Sequence, residues 1–192
     1  MTAEVGQVRR WTRTEYQLLG ARGVLPESET VELIDGQLII AEAKSPSHTI
    51  AVELTADALR AVFGGGWFVR QQGPIALDEH SEPEPDVAVV PGGPRDYLAD
   101  HPARPALVVE VADSSLLLDR HHKGSAYARA GLPDYWIVNL VDRQLEIHRR
   151  PATDPAADFG WRYLDVTILA PSAAVTPLAL PDARIAAADL LP

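Results

Sequence analysis

Glu110 is the most informative position in the chain, a carboxylate set inside the apolar run Ala106–Val111, which reads ALVVEV. Burying a charge in such a run is costly unless it has a partner, a metal, or a strand end open to a cleft. Asp86 repeats the pattern, following Pro85 and heading the apolar stretch VAVV. Two such strands side by side would bring the carboxylates together, and their repulsion would raise one pKa or recruit a divalent cation. Hard oxygen ligands with open positions favour Mg2+ or Mn2+ over zinc. The same spacing also suits a structural arrangement, with Asp86 capping a turn and Glu110 paired with an arginine.

Lys123 lies on a helix that follows the Glu110 strand, with Asp119 one turn before it and Tyr127 one turn after. At that spacing the three share a helix face. As an exposed pair, Asp119 and Lys123 would contribute only about 0.3 to 0.5 kcal/mol. Carried back over the strand ends, the ammonium could instead orient a nucleophilic water and offset charge on a phosphorane-like transition state. Other candidates read more plainly. His121 and His122 point roughly 100° apart on a helix and cannot both line one site, so they read as solvated. Gly64–Gly66 lacks the lysine and hydroxyl residue of a phosphate loop. Ser114 and Ser115 lack a glycine-flanked nucleophile elbow. Tyr127, Tyr135 and Trp136 read as core, since DYWIV has the form of a buried strand.

Several elements would have to position these residues. Thr12 and Glu15 have the form of a capping box opening a helix through about Leu19. VELI and QLII flank Asp35-Gly36, a strong hairpin signal. The spacing of Ile50, Val52, Leu54, Ala58, Leu59 and Val62 predicts an amphipathic helix from Ser45 or Ser47 to Phe63, stopped by the three glycines. Trp67–Val69 and Pro74–Leu77 read as a second hairpin, and Asp78–Pro85 and Pro91–Pro105 as loops. Val87–Val90 and Ala106–Val111 read as buried strands, Asp119–Ala130 as a helix, and Asp134–Asn139 with Gln144–His148 as a further hairpin. The proline-bearing last third predicts short strands and a terminal helical turn at Ala186–Leu190. The expected fold is α/β of mixed α+β type: a central mixed sheet flanked by helices, with additional antiparallel hairpins.

The 192 residues are 46% hydrophobic and 23% charged, which fits one folded domain spanning 1–192 and excludes disordered or fibrous architecture. With no cysteine, zinc ribbons, thiol catalysis and disulfide scaffolds are excluded. No apolar stretch suits a signal peptide or a membrane span, so the expected setting is cytoplasmic, with no membrane partner. A net charge of -10 argues against a general nucleic-acid coat protein, but a pocket for a divalent cation must itself concentrate carboxylates. Of 17 basic residues only Lys44 and Lys123 are lysines; at those two positions the prevailing use of arginine is broken, as chance could also do.

Taken in order, Glu32 in VELIDGQL, Pro85-Asp86 in EPDVAVV, Glu110 in LVVEVADSS and Asp119, Lys123 and Tyr127 in DRHHKGSAYARAGLPDYWIV resemble the Uma family of putative restriction endonucleases, within the PD-(D/E)xK nuclease superfamily. His48, in SPSHTIAVELTADAL, matches a histidine at the start of that family's long helix. The resemblance runs from about Thr12 to Arg149, and the family core is expected over 12–149. It implies a restriction endonuclease-like core with Mg2+ (or Mn2+) at the ends of two central strands. Asp86 and Glu110 match the metal ligands and Glu32 a further acidic member of the site, while His48 and Tyr127 are candidates for substrate contact. The superfamily signature places lysine two residues after the acidic one, where this chain has Ala112, and Lys123 on the following helix stands in its place. The implied activity is Mg2+-dependent endonucleolytic hydrolysis of DNA, with a homodimer expected because double-strand cleavage needs two sites. Two other readings stand beside it: a catalytically inactive nucleic-acid-binding or scaffold protein on the same fold, and the same metal chemistry on RNA or another phosphodiester.

Overall fold

The computed structural model describes residues 8–26, 28–41 and 44–192 of the chain. Helix α1 (Arg13–Ala21) opens on a complete capping box, in which Thr12 accepts from the Glu15 N–H and Glu15 accepts from the Thr12 N–H. It buries none of its residues and is tied down by polar contacts, among them Tyr16 Oη donating to the Val31 carbonyl at 2.6 Å. Strands β1 (Val31–Ile34) and β2 (Gln37–Ile40) form the expected hairpin. Its turn residues, Asp35 and Gly36, have φ of 50° and 76°, the left-handed pair that suits the right-handed twist of the flanking strands.

Helix α2 (Pro46–Val62) begins at an Ser45 cap with proline in its first turn. It buries His48, Ala51, Val52, Thr55, Ala56 and Leu59; of the positions whose spacing predicts the helix, Val52 and Leu59 are buried and Ala58 and Val62 pack against the core. Ile50 and Leu54 stay exposed, at 51% and 36%.

The central sheet has six strands in the order β3-β4-β5-β6-β7-β8, namely Trp67–Gln71, Val87–Pro91, Leu107–Ala112, Asp134–Asn139, Gln144–Thr153 and Trp161–Leu169. Only β5 and β6 are parallel. A parallel pair needs a crossover out of the sheet plane, and here it is the helical segment α3 (Leu116–Leu118), a π-helical turn (Asp119–Lys123) and α4 (Gly124–Arg129). The crossover helix thus starts just beyond the end of β5, where Glu110 sits. In the last third, β9 (Ala174–Val175) and β10 (Ile185–Ala186) form a small hairpin, followed by a 3-10 turn at Ala187–Leu190.

Strand alternation divides the core in two. Leu107, Val109 and Val111 of β5 join Val87 and Val89 of β4 against α2. Val108, Ala112 and Ala88 join Tyr127, Tyr135 and Tyr163 on the α4 side. By parity Asp86 and Glu110 belong with the second set, so both carboxylates lie on the face that the crossover helix covers.

Two expectations need correcting. Pro74–Leu77 is not a strand: the Ile75 and Ala76 N–H groups donate to the Pro83 and Pro102 carbonyls at 2.9 Å each, and the antiparallel partner of β3 is β4. The strands after Arg149 are not all short either, since β7 and β8 run ten and nine residues and pair over most of their length. Among the described residues no helix is long and apolar enough to cross a membrane.

Candidate active site

Antiparallel pairing of β4 with β5 sets Val87 opposite Val109, which makes Asp86 and Glu110 the next facing pair at the strand ends. The backbone interlocks them. The Val111 N–H donates to Asp86 Oδ2 at 2.9 Å and the Asp86 N–H to Glu110 Oε2 at 3.4 Å. Both side chains are buried, as are Glu32, Asp119, Lys123 and His48.

Lys123 lies at the centre. Its Nζ donates to Glu32 at 3.1 Å and lies 3.1 Å from Glu110 Oε1, so its bonded partners are these two and not Asp119, one turn away. An exposed Asp119–Lys123 pair is therefore not what forms; Asp119 is buried and accepts from Ser115 Oγ at 2.6 Å. Tyr127, in the core as its sequence suggests, also reaches the site by donating its hydroxyl to Glu110 Oε1 at 2.6 Å. From the other face the start of α2 brings His48 Nε2 within 3.2 Å of Asp86 Oδ2, while its buried Nδ1 has no hydrogen-bond partner. All six candidates, Glu32, His48, Asp86, Glu110, Lys123 and Tyr127, thus belong to one contact network. His121 is exposed, and His122 is part-exposed, pairing with Asp158 at 3.0 Å.

The surroundings push the two central carboxyls in opposite directions. Burial raises Glu110 well above the ordinary carboxylate range; Lys123 opposes this, while Asp119, Asp86 and Glu32 add to it. Burial also acts to raise Asp86, but the His48 contact, the Val111 N–H and Lys123 outweigh it and hold that carboxyl below its ordinary value. Asp119 is raised to about 6, chiefly by burial. For Lys123 burial favours the neutral amine, yet Glu110, Glu32, Asp119 and Asp86 together lift it well above the ordinary lysine value. The lysine is an ammonium at neutral pH and cannot take up a proton there.

These groups line a pocket of about 70 Å³, room for a few waters. Its lining includes carboxylates that the sequence did not single out, Glu84 and Asp113, besides Asp119. Glu84 had a local signal in EPEPD, one residue before Pro85-Asp86; its N–H donates to Glu32 at 3.2 Å, and burial raises its carboxyl. Gln72 carried no such signal, but its Nε2 reaches Asp86 Oδ1 at 3.5 Å. The two lysines of the chain, so distant in sequence, line this same pocket, Lys44 at its exposed side.

In chemistry the donor set fits a hard divalent cation: the six lining carboxylates Glu32, Glu84, Asp86, Glu110, Asp113 and Asp119 face only two ammonium groups. In arrangement, no group of three or more His, Cys, Asp or Glu side chains among the described residues converges as a metal-holding set. The Lys123 ammonium stands between Glu32 and Glu110, 3.1 Å from each, and supplies positive charge there.

The family described as Uma2, putative restriction endonuclease, matches residues 14–188. A solved structure of a putative nuclease belonging to DUF820, from Anabaena variabilis, is similar in fold, with a TM-score of 0.63 at 14% identity, covering 90% of this chain and 96% of that one. Among curated proteins none matches significantly.

Proposed function

The chain belongs to the Uma2 family, described as putative restriction endonuclease, and from that membership we propose that it is a divalent-metal-dependent nuclease that hydrolyses phosphodiester bonds of DNA. The observation that carries the reading is the facing pair Asp86 and Glu110 at the strand ends, with the Lys123 ammonium 3.1 Å from Glu110 and from Glu32 in a buried acidic pocket. Asp86 and Glu110 would hold Mg2+ or Mn2+. When bound, such an ion polarises a phosphoryl oxygen and lowers the pKa of water.

The roles of the chain's own groups follow from their surroundings. Asp86 is kept ionised by His48 and the Val111 N–H, so it is ready to ligate. Glu110 is oriented by Tyr127 and Lys123; burial raises its carboxyl, and a bound cation would oppose that shift. Lys123, held as an ammonium, donates hydrogen bonds; it would orient the attacking water and stabilise negative charge on the phosphoryl oxygens, not act as general base. Glu32 holds the ammonium in place, and His48 sits where it could meet the substrate phosphate. Cutting both strands of a duplex would take two copies of the site, so a homodimer is expected.

The test is calorimetric titration of Mg2+ and Mn2+ into the wild type, Asp86→Ala and Glu110→Ala, with plasmid nicking assayed on the same samples. Binding and nicking by the wild type, both lost in folded variants, is the expected result. A wild type that binds neither ion in the presence of DNA would overturn it and leave a binding or scaffold protein on a nuclease fold.

A further inference from the structure

One turn of the crossover helix is wider than the rest. Residues Asp119–Lys123 are π-helical, and the Gly124 N–H reaches back to the Asp119 carbonyl five residues earlier. Such turns are rare and occur mostly singly within α-helices, frequently at functional sites. Two features meet at that carbonyl. Tyr135 of β6, fully buried, donates its hydroxyl to Asp119 O at 3.0 Å, giving the oxygen a partner outside the helix. Position 124 is glycine, where a Cβ would lie 3.1 Å from the same oxygen and 3.6 Å from Tyr135 Cε1. An alanine there would press on the carbonyl that the wide turn depends on.

The wide turn brings residues already on one face into closer line. In an unbroken α-helix the eight residues from Asp119 to Tyr127 advance roughly 800°, leaving Tyr127 about 80° away from Asp119. A turn that absorbs one extra residue leaves the advance of seven, so the two fall within about 20° of each other. Asp119 and Lys123 accordingly both line the pocket while Tyr127, a turn further on, still reaches Glu110 at 2.6 Å.

We infer that Tyr135 and Gly124 are positioning residues, holding the wide turn that sets the Lys123 ammonium between Glu32 and Glu110. The catalytic consequence rests on the nuclease reading; the placement of the ammonium does not.

Because Lys44 and Lys123 are the only lysines, ¹⁵N-lysine labelling gives two side-chain ammonium signals, and Lys44→Arg identifies that of Lys123. Tyr135→Phe removes only the hydroxyl, Gly124→Ala crowds the carbonyl, and Tyr163→Phe is the control. Tyr163, stacked on Tyr135 with ring centroids 5.9 Å apart, is another buried tyrosine that donates to a backbone carbonyl, but that of Leu132 at 2.9 Å and not one in the wide turn, so it separates loss of the hydroxyl bond from general repacking of the cluster. In Tyr135→Phe and Gly124→Ala the Lys123 signal should shift and its protons exchange about tenfold faster, the scale of one lost hydrogen bond, with circular dichroism unchanged. Tyr163→Phe should leave that signal where it is. Turnover of plasmid DNA should fall in the first two variants with KM unchanged. A Lys123 signal unaltered in shift and exchange overturns the inference, as does an equal response in Tyr163→Phe; should Tyr135→Phe not fold, Gly124→Ala decides. If the signal responds as expected but the wild type nicks no DNA, the positioning stands and the nuclease reading falls.

Discussion

Replacing Lys123 by methionine keeps most of the side-chain volume and removes the one positive charge between Glu32 and Glu110, each 3.1 Å away and nearly excluded from solvent. Breaking a buried ion pair by removing one partner costs about 3 to 5 kcal/mol, because the remaining charge is left uncompensated. The lower end applies here. Burial raises the Glu110 carboxyl, which lessens the charge it would leave uncompensated. The expected loss is about 3 kcal/mol at pH 7, or roughly 6 to 12 °C in Tm for a chain of this size. The loss should shrink towards acid pH, where protonation discharges Glu110, whose carboxyl burial raises. If a divalent cation can occupy the space the ammonium leaves, Mg2+ at about a hundred times its Kd should return about 2.7 kcal/mol. Urea unfolding at pH 5 and 7, with and without Mg2+, reads all three effects. A loss under about 0.5 kcal/mol that does not vary with pH, the size of an ordinary surface change, would refute the view that the ammonium compensates buried charge.

Three further outcomes are expected. Asp119, raised to about 6 by burial despite Lys123, holds more protons folded than unfolded between about pH 4 and 6, so its contribution is fully present below pH 4 and lost as pH rises through 6. Asp119→Asn should therefore gain on the wild type by on the order of 3 kcal/mol between pH 4 and 7, and a difference in Tm that is flat with pH would refute this. Tyr127→Phe removes a buried donor to Glu110 Oε1, the oxygen that also faces Lys123. It should cost about 1 to 2 kcal/mol, and a double-mutant cycle with Lys123→Met should show coupling of about 1 kcal/mol; strict additivity in urea unfolding would count against a shared oxygen. Lys44→Ala, at the exposed side of the pocket, should change stability by less than about 0.5 kcal/mol while reducing the salt dependence of DNA binding by about one phosphate contact, measured by anisotropy; an unchanged slope would exclude Lys44 from the binding path.

Much of the site could be read in the sequence because its signals are short-range. A glutamate inside ALVVEV and an aspartate heading VAVV are conspicuous, since a charge in a buried run needs a reason to be there. Asp35-Gly36, the Thr12–Glu15 box and the stop after Phe63 depend on a few neighbouring dihedrals and hydrogen bonds, and each forms where local chemistry predicts. The family resemblance rested on the same local blocks, and the family match spans residues 14–188.

Other features became visible only with the chain folded. The strand partner of β3 is β4 and not Pro74–Leu77, because the amides of that segment are used by carbonyls from Pro83 and Pro102, the latter some 25 residues on. Ile50 and Leu54 of α2 share its apolar spacing yet stay exposed while His48 and Thr55 are buried, which no periodicity of α2 alone contains. The width of one helical turn depends on a tyrosine hydroxyl from the next strand. The protonation tendencies of Asp86 and Glu110, alike as residues, diverge because His48 and a backbone N–H outweigh burial at one, while burial and three further carboxylates outweigh Lys123 at the other. The sequence by itself determined the residue types, the local turns and caps, and the strand ends that hold the carboxylates. The tertiary structure decided the register, the helix face and the charge balance, since each is set by contacts between segments tens of residues apart and by the exclusion of water that only folding brings.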